Sequence, residues 1–336
     1  MLKYNELSEL LDKMRSVRAV LLGDMCIDIY WSADMTKSVL SRETAHFPLP
    51  VVEERMSLGA GGNALKNLTV LCDNVQAVGI KGNDWRGNCI ERCFEEIGLD
   101  TSYIITDKSR VTNAYIKPMR FGYLGIETED PRIDFESFDS INKETEDMLI
   151  EHLKKATENA DVLCVSDQFL NGCVTERVRE AINSLDILKV VDSRYRIGEY
   201  RNAFLKPNEI ECARALGLAD NTLTDGDEET VVSALTSLNE KTGSSVCITL
   251  GPKGARTVHN GRVSTVEAPK VLGQIDTCGA GDCFLSAFAL ALSTGATEAD
   301  AAFVANLASQ VSIKKINTTG SASREEILAR YREAYE

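Results

Sequence analysis

The sequence predicts an α/β fold, a doubly wound sheet core that carries a small β-sheet lid. Three features of the chain support this. Short apolar runs alternate with helix-like stretches, two segments have strand-like residues with no helix between them, and glycine turns stand where strands lead into helices. Continuous apolar runs are typical of strands buried on both faces, so their alternation with helices indicates a parallel sheet between two helical layers.

The strands of the core are predicted from apolar runs: "RAVLLG" at 18–23, "VQAVGI" at 75–80, "DVLCVS" at 161–166, "ILKVVD" at 187–192 and "SVCITL" at 245–250. The helix-like stretches that lie among them are residues 86–98, 144–157, 174–184 and 227–240. In an open sheet of this kind, ligands bind outside the carboxyl ends of the strands. Functional residues are therefore expected in the turns that directly follow these runs.

The small β-sheet is predicted from residues 29–58 and 111–134, which have strand-like residues but no intervening helix. We expect an antiparallel sheet that projects from the core and closes over the site as a lid. The exposed edges of such a sheet favour pairing with another chain, so a homodimer through the lid is expected. Because no low-complexity linker interrupts the chain, we interpret residues 1–336 as one domain that includes both lid segments.

Composition and charge exclude several classes of function. The net charge of −14 argues against general nucleic-acid binding, which needs a basic face. No segment has the roughly 18 apolar residues of a membrane span, and the charged N-terminus does not resemble a signal peptide. Ten cysteines without a C-x-x-C pair, beside only three histidines, argue against a zinc site and predict a cytoplasmic protein.

The stretch "DTCGAGDCFLSAFALAL" at 276–292 places a flexible turn between a strand end predicted over 271–276 and an apolar helix predicted over 283–292. Gly279 and Gly281 allow backbone angles that other residues avoid, so the amides of this turn can converge on one phosphate at the helix N-terminus. Asp282 would repel that phosphate unless it has a separate task. Such a task is to accept the proton of an attacking hydroxyl in phosphoryl transfer. The alternative is that Asp282 only caps the helix.

A second glycine cluster, "SLGAGGNALKNLTVL" at 57–71, opens another predicted helix. Gly59, Gly61 and Ala64 fit the dinucleotide fingerprint G-x-G-x-x-A, which would suit a nicotinamide-dependent oxidoreductase. That fingerprint should follow a buried strand, whereas the preceding "PVVEERMS" is half charged. This alternative is therefore the weaker one.

The same turn also suits a polyhydroxylated ligand. Gly61, Gly62 and Asn63 can bring backbone and amide groups close to a sugar. Asp24 and Asp28 lie at or just beyond the end of the first core strand, where carboxylates can accept sugar hydroxyls. For either aspartate, a solvated turn residue is the alternative.

Two further segments border a predicted nucleotide site. In "FLKPNEIECARAL" at 204–216, Asn208 and Glu211 are three residues apart, which suits either a capping box or a water-mediated magnesium–phosphate site. In "CITLGPKGA" at 247–255, Thr249, Gly251 and Gly254 follow a strand. They suit a nucleotide border or a plain hairpin turn.

Taken together, these motifs resemble the phosphofructokinase-B (ribokinase) family of carbohydrate kinases. "DTCGAGD" resembles the signature D-T-x-G-A-G-D, and "GAGGNALKN", "KPNEIE" and "TLGPKG" are similar to its glycine, N-x-x-E and T-x-G-x-x-G motifs. Their order covers roughly residues 18–322. Within the family, "LLGDMCIDIYW" and "SRETAHFPLPVV" resemble the D-glycero-beta-D-manno-heptose-7-phosphate kinase group. The nucleotidyltransferase domain fused in some of its members is not expected here.

The resemblance implies a ribokinase-like fold and an ATP-dependent kinase of a sugar or sugar phosphate. It implies ATP and Mg²⁺ as cofactors and, as in many relatives, K⁺. The implied catalytic group is Asp282 as the base, with the amides of Gly279, Ala280 and Gly281 on the transferred phosphate. The implied binding residues are Asn208, Glu211, Thr249, Gly251, Gly254 and Asn306 for Mg–ATP, Asp28, Gly61, Gly62 and Asn63 for the sugar, and Asp276 for a monovalent cation.

Departures from the family pattern leave the acceptor open. Arg42, Gln168 and the pair Ser193–Arg194 replace usual family residues where a sugar-phosphate end would bind. A nucleoside or small-alcohol kinase of the same fold is the first alternative. An NAD-dependent oxidoreductase and a non-catalytic sugar-binding protein are the others.

Overall fold

The computed structural model describes residues 2–316 and 318–336. The strands are, in chain order, β1 (Arg18–Asp34), β2 (Val51–Ala60), β3 (Asn74–Gly82), β4 (Asp100–Asp107), β5 (Asn113–Phe121), β6 (Thr128–Glu129), β7 (Ile133–Phe135), β8 (Val162–Asp167), β9 (Leu188–Ser193), β10 (Phe204–Leu205), β11 (Ser245–Thr249), β12 (Ala255–His259) and β13 (Arg262–Val266).

The helices are α1 (Tyr4–Met14), α2 (Gly61–Leu71), α3 (Trp85–Glu96), α4 (Lys143–Thr157), α5 (Glu176–Ser184), α6 (Glu209–Ala215), α7 (Glu228–Thr242), α8 (Ala280–Ser293), α9 (Glu298–Ser312) and α10 (Arg324–Tyr335). The predicted core strands and helices all occur, and apart from the end of the first strand their ends are shifted by at most a few residues. None of the helices in the described ranges is both long and apolar enough to traverse a bilayer.

The central sheet has the spatial order β13-β12-β11-β10-β9-β8-β1-β3-β4. Every neighbouring pair from β11 to β4 is parallel, and only the β12 and β13 edge is antiparallel. The chain order reverses at β1, which pairs with β3 on one side and β8 on the other. Such a switch point opens a crevice at the carboxyl ends of the strands.

The alternation of side chains along β1 explains the two helical layers. Ala19 and Leu21 belong to one hydrophobic core, with residues of α1, α2, α3, α8, α9 and α10. Val20 and Leu22 belong to a second core, with residues of α4, α5, α6 and α7. Successive strand residues point to opposite faces of the sheet. Because helices cover both faces, residues of both kinds are buried, and the strands are therefore continuous apolar runs in the sequence.

The smaller sheet is built on the second half of β1. Beyond Asp24, β1 leaves β3 and pairs antiparallel with β2 and parallel with β5, and β5 pairs antiparallel with β6 and β7. The prediction of a purely antiparallel sheet was therefore wrong. The reason lies in the chain path, since β4 runs parallel to β3 and β5 continues in the same direction after residues 108–112.

Two local expectations also differ from the structure. The first core strand was expected to end at residue 23, but β1 extends to Asp34 because it continues into the smaller sheet. Residues 271–276 were interpreted as a strand end, yet they form no strand. The apolar residues Leu272 and Ile275 are exposed there and pack into neither core.

Candidate active site

A cleft of about 690 Å³ lies at the carboxyl edge of the central sheet, against the smaller sheet. Its walls come from many separate elements of the fold. The lining residues are Asp28, Gly59, Ala60, Asn63, Tyr115, Lys117, Arg132, Gln168, Asp192, Arg194, Lys206, Asn208, Glu209, Glu211, Thr249, Gly251, Thr277, Cys278, Gly279, Gly281, Asp282 and Thr319.

The glycine turn before α8 forms one end of this cleft. Gly279 is the N-cap, with a left-handed φ of 77°, and a Cβ on it would stand 2.6 Å from Asn63 Nδ2. The helix begins at Ala280, three residues earlier than predicted. Because the first amides of a helix have no partner inside it, the positive end of the helix dipole lies at this turn.

The structure brings the predicted phosphate amides only partly together. Gly279 and Gly281 line the cleft, whereas the Ala280 amide donates to the carbonyl of Thr277 at 3.2 Å and so closes the turn. A role for the Ala280 amide on the phosphate would require that bond to open. The assignment of these amides stays a prediction.

The Asp282 side chain is hydrogen-bonded to α2. Its Oδ2 accepts a hydrogen bond from Asn63 Nδ2 at 2.7 Å, and the α8 N-cap has no side-chain hydrogen bond. The capping alternative therefore does not fit. The pKa of Asp282 is raised to about 7, mainly by burial and further by the charge of Asp192. The hydrogen bond from Asn63 and the charge of Lys206 oppose this rise. A carboxylate of this kind exchanges a proton near neutral pH.

Sequence reasoning gave no role to Lys206, which stands beside this turn. Its side chain is 3% exposed, and its Nζ lies 3.0 Å from Asp192 Oδ2 and 3.8 Å from where a Cβ on Gly281 would be. The pKa of Lys206 is raised: burial alone would lower it, but the charges of Asp192 and Glu211 outweigh burial. The available signal was the position of Lys206, directly after a core strand.

Asn208 and Glu211 form the capping box that their spacing suggested. The Glu211 amide donates to Asn208 Oδ1 at 2.9 Å, and the Asn208 amide donates to Glu211 Oε2 at 2.8 Å. Both residues also line the cleft, so the cap and a ligand-facing position coexist. The pKa of Glu211 is raised, first by burial and then by the charge of Asp192.

The residues predicted to border the nucleotide divide into two groups. Thr249 and Gly251 line the cleft. Gly254 does not; its φ is 82° and a Cβ on it would meet the Val266 carbonyl at 2.1 Å, so it serves the tight turn before β12. Asn306 is buried on α9, outside the lining, and donates to the Val266 carbonyl at 3.4 Å.

Asp28 occupies the cleft wall that the smaller sheet supplies. It is 5% exposed, and its Oδ2 lies 3.4 Å from Lys117 Nζ. Its Oδ1 has no hydrogen-bond partner in the described part of the chain. Burial raises the pKa of Asp28, and Lys117 opposes that rise. An unsatisfied buried acceptor is costly unless a ligand pairs with it.

Sequence reasoning missed the cations at this end of the cleft. Lys117 Nζ donates to the Tyr30 hydroxyl at 3.0 Å and lies 3.8 Å from Cys278 Sγ. Arg132 stands 4.0 Å above the Tyr115 ring and bonds Asp134. Lys117 lies on β5 and Arg132 directly precedes β7, in segments whose local pattern carries no motif.

Several predicted sugar-site residues pack against other parts of the fold. A Cβ on Gly61 would meet the Asp24 carbonyl at 2.9 Å, and one on Gly62 would meet Leu58 at 3.1 Å. These glycines allow α2 to approach β1 and β2 closely. The preceding strand β2 is largely exposed, so the dinucleotide fingerprint lacks its buried strand.

Asp24 is a structural carboxylate and does not line this cleft. It is 2% exposed and accepts the backbone amides of Gln168, Phe169 and Cys173 at 3.0, 2.9 and 2.6 Å. It thereby holds the loop that carries Gln168 into the cleft. Asp276 likewise lies outside the lining, and its Oδ1 accepts the Cys278 amide at 2.9 Å.

An open α/β sheet with a glycine turn at a helix N-terminus and a candidate base at its carboxyl edge is typical of small-molecule kinases. Residues 20–325 match the model of the pfkB family of carbohydrate kinases, and the chain belongs to that family. The predictions of this family, of a ribokinase-like fold and of an ATP-dependent carbohydrate kinase are thereby confirmed.

The chain is similar to curated relatives and to solved structures. Bifunctional protein HldE of Citrifermentans bemidjiense is 30% identical over 341 residues, which cover 96% of this chain and 65% of the relative. The same-named protein of Geotalea uraniireducens is also 30% identical, with 98% and 66% covered. The chain thus spans just under two thirds of the length of these relatives.

The solved structures show the fold. Phosphofructokinase-2 from Escherichia coli, in complex with substrates and products, aligns with a TM-score of 0.74 at 18% identity, over 95% of this chain and 100% of that one. Ribokinase of Arabidopsis thaliana, complexed with ribose and ATP, aligns with a TM-score of 0.69 at 16% identity, over 94% and 98%.

Proposed function

We propose that this protein transfers the γ-phosphate of ATP to a hydroxyl of a sugar phosphate, with Asp282 as the general base. The observation that carries the proposal is the position of the Asp282 carboxylate. It lies in the first turn of α8, in the cleft wall, beside Gly279 and Gly281 and near the Lys206 ammonium. A base, amide donors and a fixed cation are what in-line phosphoryl transfer requires.

The chemistry follows from these groups. The acceptor hydroxyl attacks the γ-phosphorus, its proton passes to Asp282, and the bond to the ADP oxygen breaks. Charge that develops on the transferred oxygens lies near the positive end of α8 and near Lys206. Because Lys206 is buried and paired with Asp192, its position is fixed before the substrates bind.

Mg²⁺ is proposed at the nucleotide end, beside Glu211 and Asp192. No group of three or more histidine, cysteine, aspartate or glutamate side chains that could hold a metal occurs in residues 2–316 and 318–336. Mg²⁺ in kinases is usually held by one or two carboxylates together with phosphates and water, so the residues present fit. Glu211 and Asp192 are near enough for the charge of Asp192 to raise the pKa of Glu211, after the larger effect of burial. When bound, Mg²⁺ neutralises phosphate charge.

Three cations in the cleft wall favour a phosphorylated acceptor. Lys117, Arg132 and Arg194 all line the cleft, and Arg194 makes no ion pair within the described residues. A neutral sugar needs hydroxyl partners such as Asp28, whereas three cations suit an additional anionic group. The likeness of residues 21–31 and 41–52 to the heptose-7-phosphate kinase group makes heptose 7-phosphate the first candidate.

A nucleoside acceptor is the second candidate, and the aromatic groups argue against it. Tyr115 is an aromatic ring that lines the cleft, and it already stacks on Phe169, with ring centroids 5.8 Å apart, and carries the Arg132 guanidinium 4.0 Å from its centroid. A base that stacked on this ring would compete with these two partners. The cleft therefore lacks the ready stacking surface that Tyr115 would otherwise supply.

The deciding experiment is an ATP-consumption screen over heptose, hexose and pentose phosphates, the matching free sugars, and nucleosides. We expect turnover with a sugar phosphate at a kcat/KM at least tenfold above that of its free sugar. A nucleoside as the best acceptor would contradict the proposed substrate class. No turnover with any alcohol, at full ATP binding, would contradict the kinase reaction itself.

A homodimer through the smaller sheet is proposed on the basis of exposed apolar side chains in that sheet and in the connection between β1 and β2. They are Val39, Leu40, Phe47, Val51, Val52 and Ile133. Covering such residues against a second copy removes apolar surface and open strand edges from water. Light scattering should give twice the chain mass of 36.9 kDa, and a monomer at working concentration would contradict it.

Two smaller proposals concern the surroundings. K⁺ activation is proposed through Asp276, whose amide hydrogen-bonds the Ile313 carbonyl at 2.8 Å beside the glycine turn. Assays in K⁺ and in choline salts at equal ionic strength should differ in kcat, and equal values would contradict this. A cytoplasmic location is proposed because the ten cysteines are all free thiols.

A further inference from the structure

We infer that Asn63 is a positioning residue for the general base and that it acts on the Asp282 carboxylate more than on the acceptor. The inference rests on the proposed function, because it assumes that Asp282 is the base. The glycine motif had suggested a direct contact of Asn63 with the sugar. The contacts of the side chain point to the base instead.

Asn63 is fixed between α2 and the turn before α8. It is 1% exposed, and its Nδ2 donates to Asp282 Oδ2 at 2.7 Å. A Cβ on Gly279 would stand 2.6 Å from the same nitrogen. The Asn63 amide thus lies directly against the turn, in a space that only a glycine leaves open.

The orientation of the amide is set from behind. Asn67, one helical turn further along α2, donates from Nδ2 to the Asn63 carbonyl at 2.9 Å and approaches Asn63 Oδ1 at 3.4 Å. With Oδ1 facing this donor, the Nδ2 group faces the carboxylate, which can only accept when ionised. Ser286 ties the two helices together at the same level, since its hydroxyl bonds the carbonyls of Ala64 and Asp282 at 3.0 and 2.9 Å.

The charges around Asp282 make this hydrogen bond consequential. Asp28 from β1 and Asp192 from β9 face the carboxylate and disfavour its ionised form, as burial does. Lys206, which precedes α6, and the Asn63 amide favour the ionised form. Asn63 donates without adding charge, so it aims one oxygen while the other stays available for the acceptor proton.

The test compares Asn63→Leu and Asn63→Asp with the wild type across pH 6 to 10. Leu removes the donor at similar size, and Asp keeps the shape but adds a competing carboxyl. In both variants the acidic limb of the profile of kcat against pH should move to a pH about one unit higher, because a lost hydrogen bond to a carboxylate raises its pKa. At pH 7 this lowers kcat about fivefold, with recovery above pH 9. Asn88→Leu, an exposed position on α3, is the matched control and should leave the limb in place.

Three outcomes overturn the inference. An unmoved limb with a tenfold rise in the acceptor KM would assign Asn63 to the substrate. A fall in kcat by the same factor at every pH would make its role merely structural. If thermal unfolding shows that Asn63→Leu does not fold, Asn63→Asp decides alone. An unchanged acidic limb in its profile of kcat against pH would then contradict the inference. Normal turnover in Asp282→Asn would instead overturn the proposed function, so the two failures are distinct.

Discussion

Asp282→Asn separates catalysis from binding more sharply than any other change in the cleft. The substitution removes the proton acceptor but keeps the size of the side chain and a hydrogen bond to Asn63. A positioned general base contributes about 10²–10⁴-fold to a proton-transfer reaction. We therefore expect kcat to fall at least 100-fold. ATP affinity should be retained, because Asn208 and Glu211 are untouched and lie on α6 and its cap.

The pH dependence gives the same prediction a second readout. Burial raises the pKa of Asp282 to about 7, and only the ionised carboxylate can accept a proton. The kcat/KM of the wild type should accordingly rise from pH 6 to pH 8 and then level off. The residual activity of Asp282→Asn should show no such limb. A wild-type limb near pH 4 would mean that the carboxylate is solvated and is not the group we describe.

Stability should change in the opposite direction to activity. Between the ordinary pKa of 3.8 and about 7, the folded state keeps a proton on Asp282 that the unfolded state has already lost. Ionising the buried side chain therefore destabilises the fold increasingly as the pH rises through that window. At about 1.4 kcal/mol per pKa unit, the loss of folding free energy has an upper bound near 4 kcal/mol. Because the side chain is partly exposed, we expect a loss of about 1–2 kcal/mol.

Thermal unfolding at pH 8 and at pH 4 measures the destabilisation caused by the ionised Asp282. Asp282→Asn should unfold a few degrees above the wild type at pH 8 and close to it at pH 4. Isothermal titration with ATP completes the set. Turnover of the variant at a near-normal rate would refute the role of Asp282 as the base, and so would a loss of ATP binding along with turnover.

Three further predictions concern the same cleft. Lys206→Met should lower kcat about 100-fold and destabilise the fold by about 3–5 kcal/mol, because it leaves Asp192 buried and unpaired. The double change with Asp192→Asn should restore the unfolding temperature but not turnover; restored turnover would deny Lys206 a catalytic role. Arg194→Gln should raise KM for a phosphorylated acceptor about tenfold while KM for ATP stays constant, and a matching rise for free sugars would contradict an anion site. Gly279→Ala should abolish turnover, since its φ is 77° and a Cβ would meet the Asn63 side chain at 2.6 Å. The control Gly98→Ala, with a φ of 67° and open space around it, should lower stability only. Steady-state assays of both variants test this, and equal turnover in the two would contradict it.

The sequence carried the features that depend on neighbours along the chain. The alternation of apolar runs and helices predicted the core, and the spacing of Asn208 and Glu211 predicted their reciprocal hydrogen bonds. The glycine–alanine–glycine turn and the aspartate after it were found from their local chemistry alone. Each of these signals lies within a few residues.

Features that depend on distant pairing could not be found in this way. Lys117 and Arg132 reach the cleft only because β5 pairs parallel with β1 and β7 pairs with β5. The role of Asp24 was misjudged for the same reason. Its partners are the backbone amides of residues 168–173, about 145 positions away, and no local pattern announces them.

The length of β1 has a mechanical consequence. One uninterrupted backbone of 17 residues is shared by both sheets, and Asp28 lies on it four residues past the last residue that pairs with β3. The smaller sheet therefore has no flexible hinge at this connection; in the reaction that we propose, any closing movement would twist the strand that carries Asp28. Binding of the proposed acceptor and closure of the cleft would then be coupled through one continuous strand.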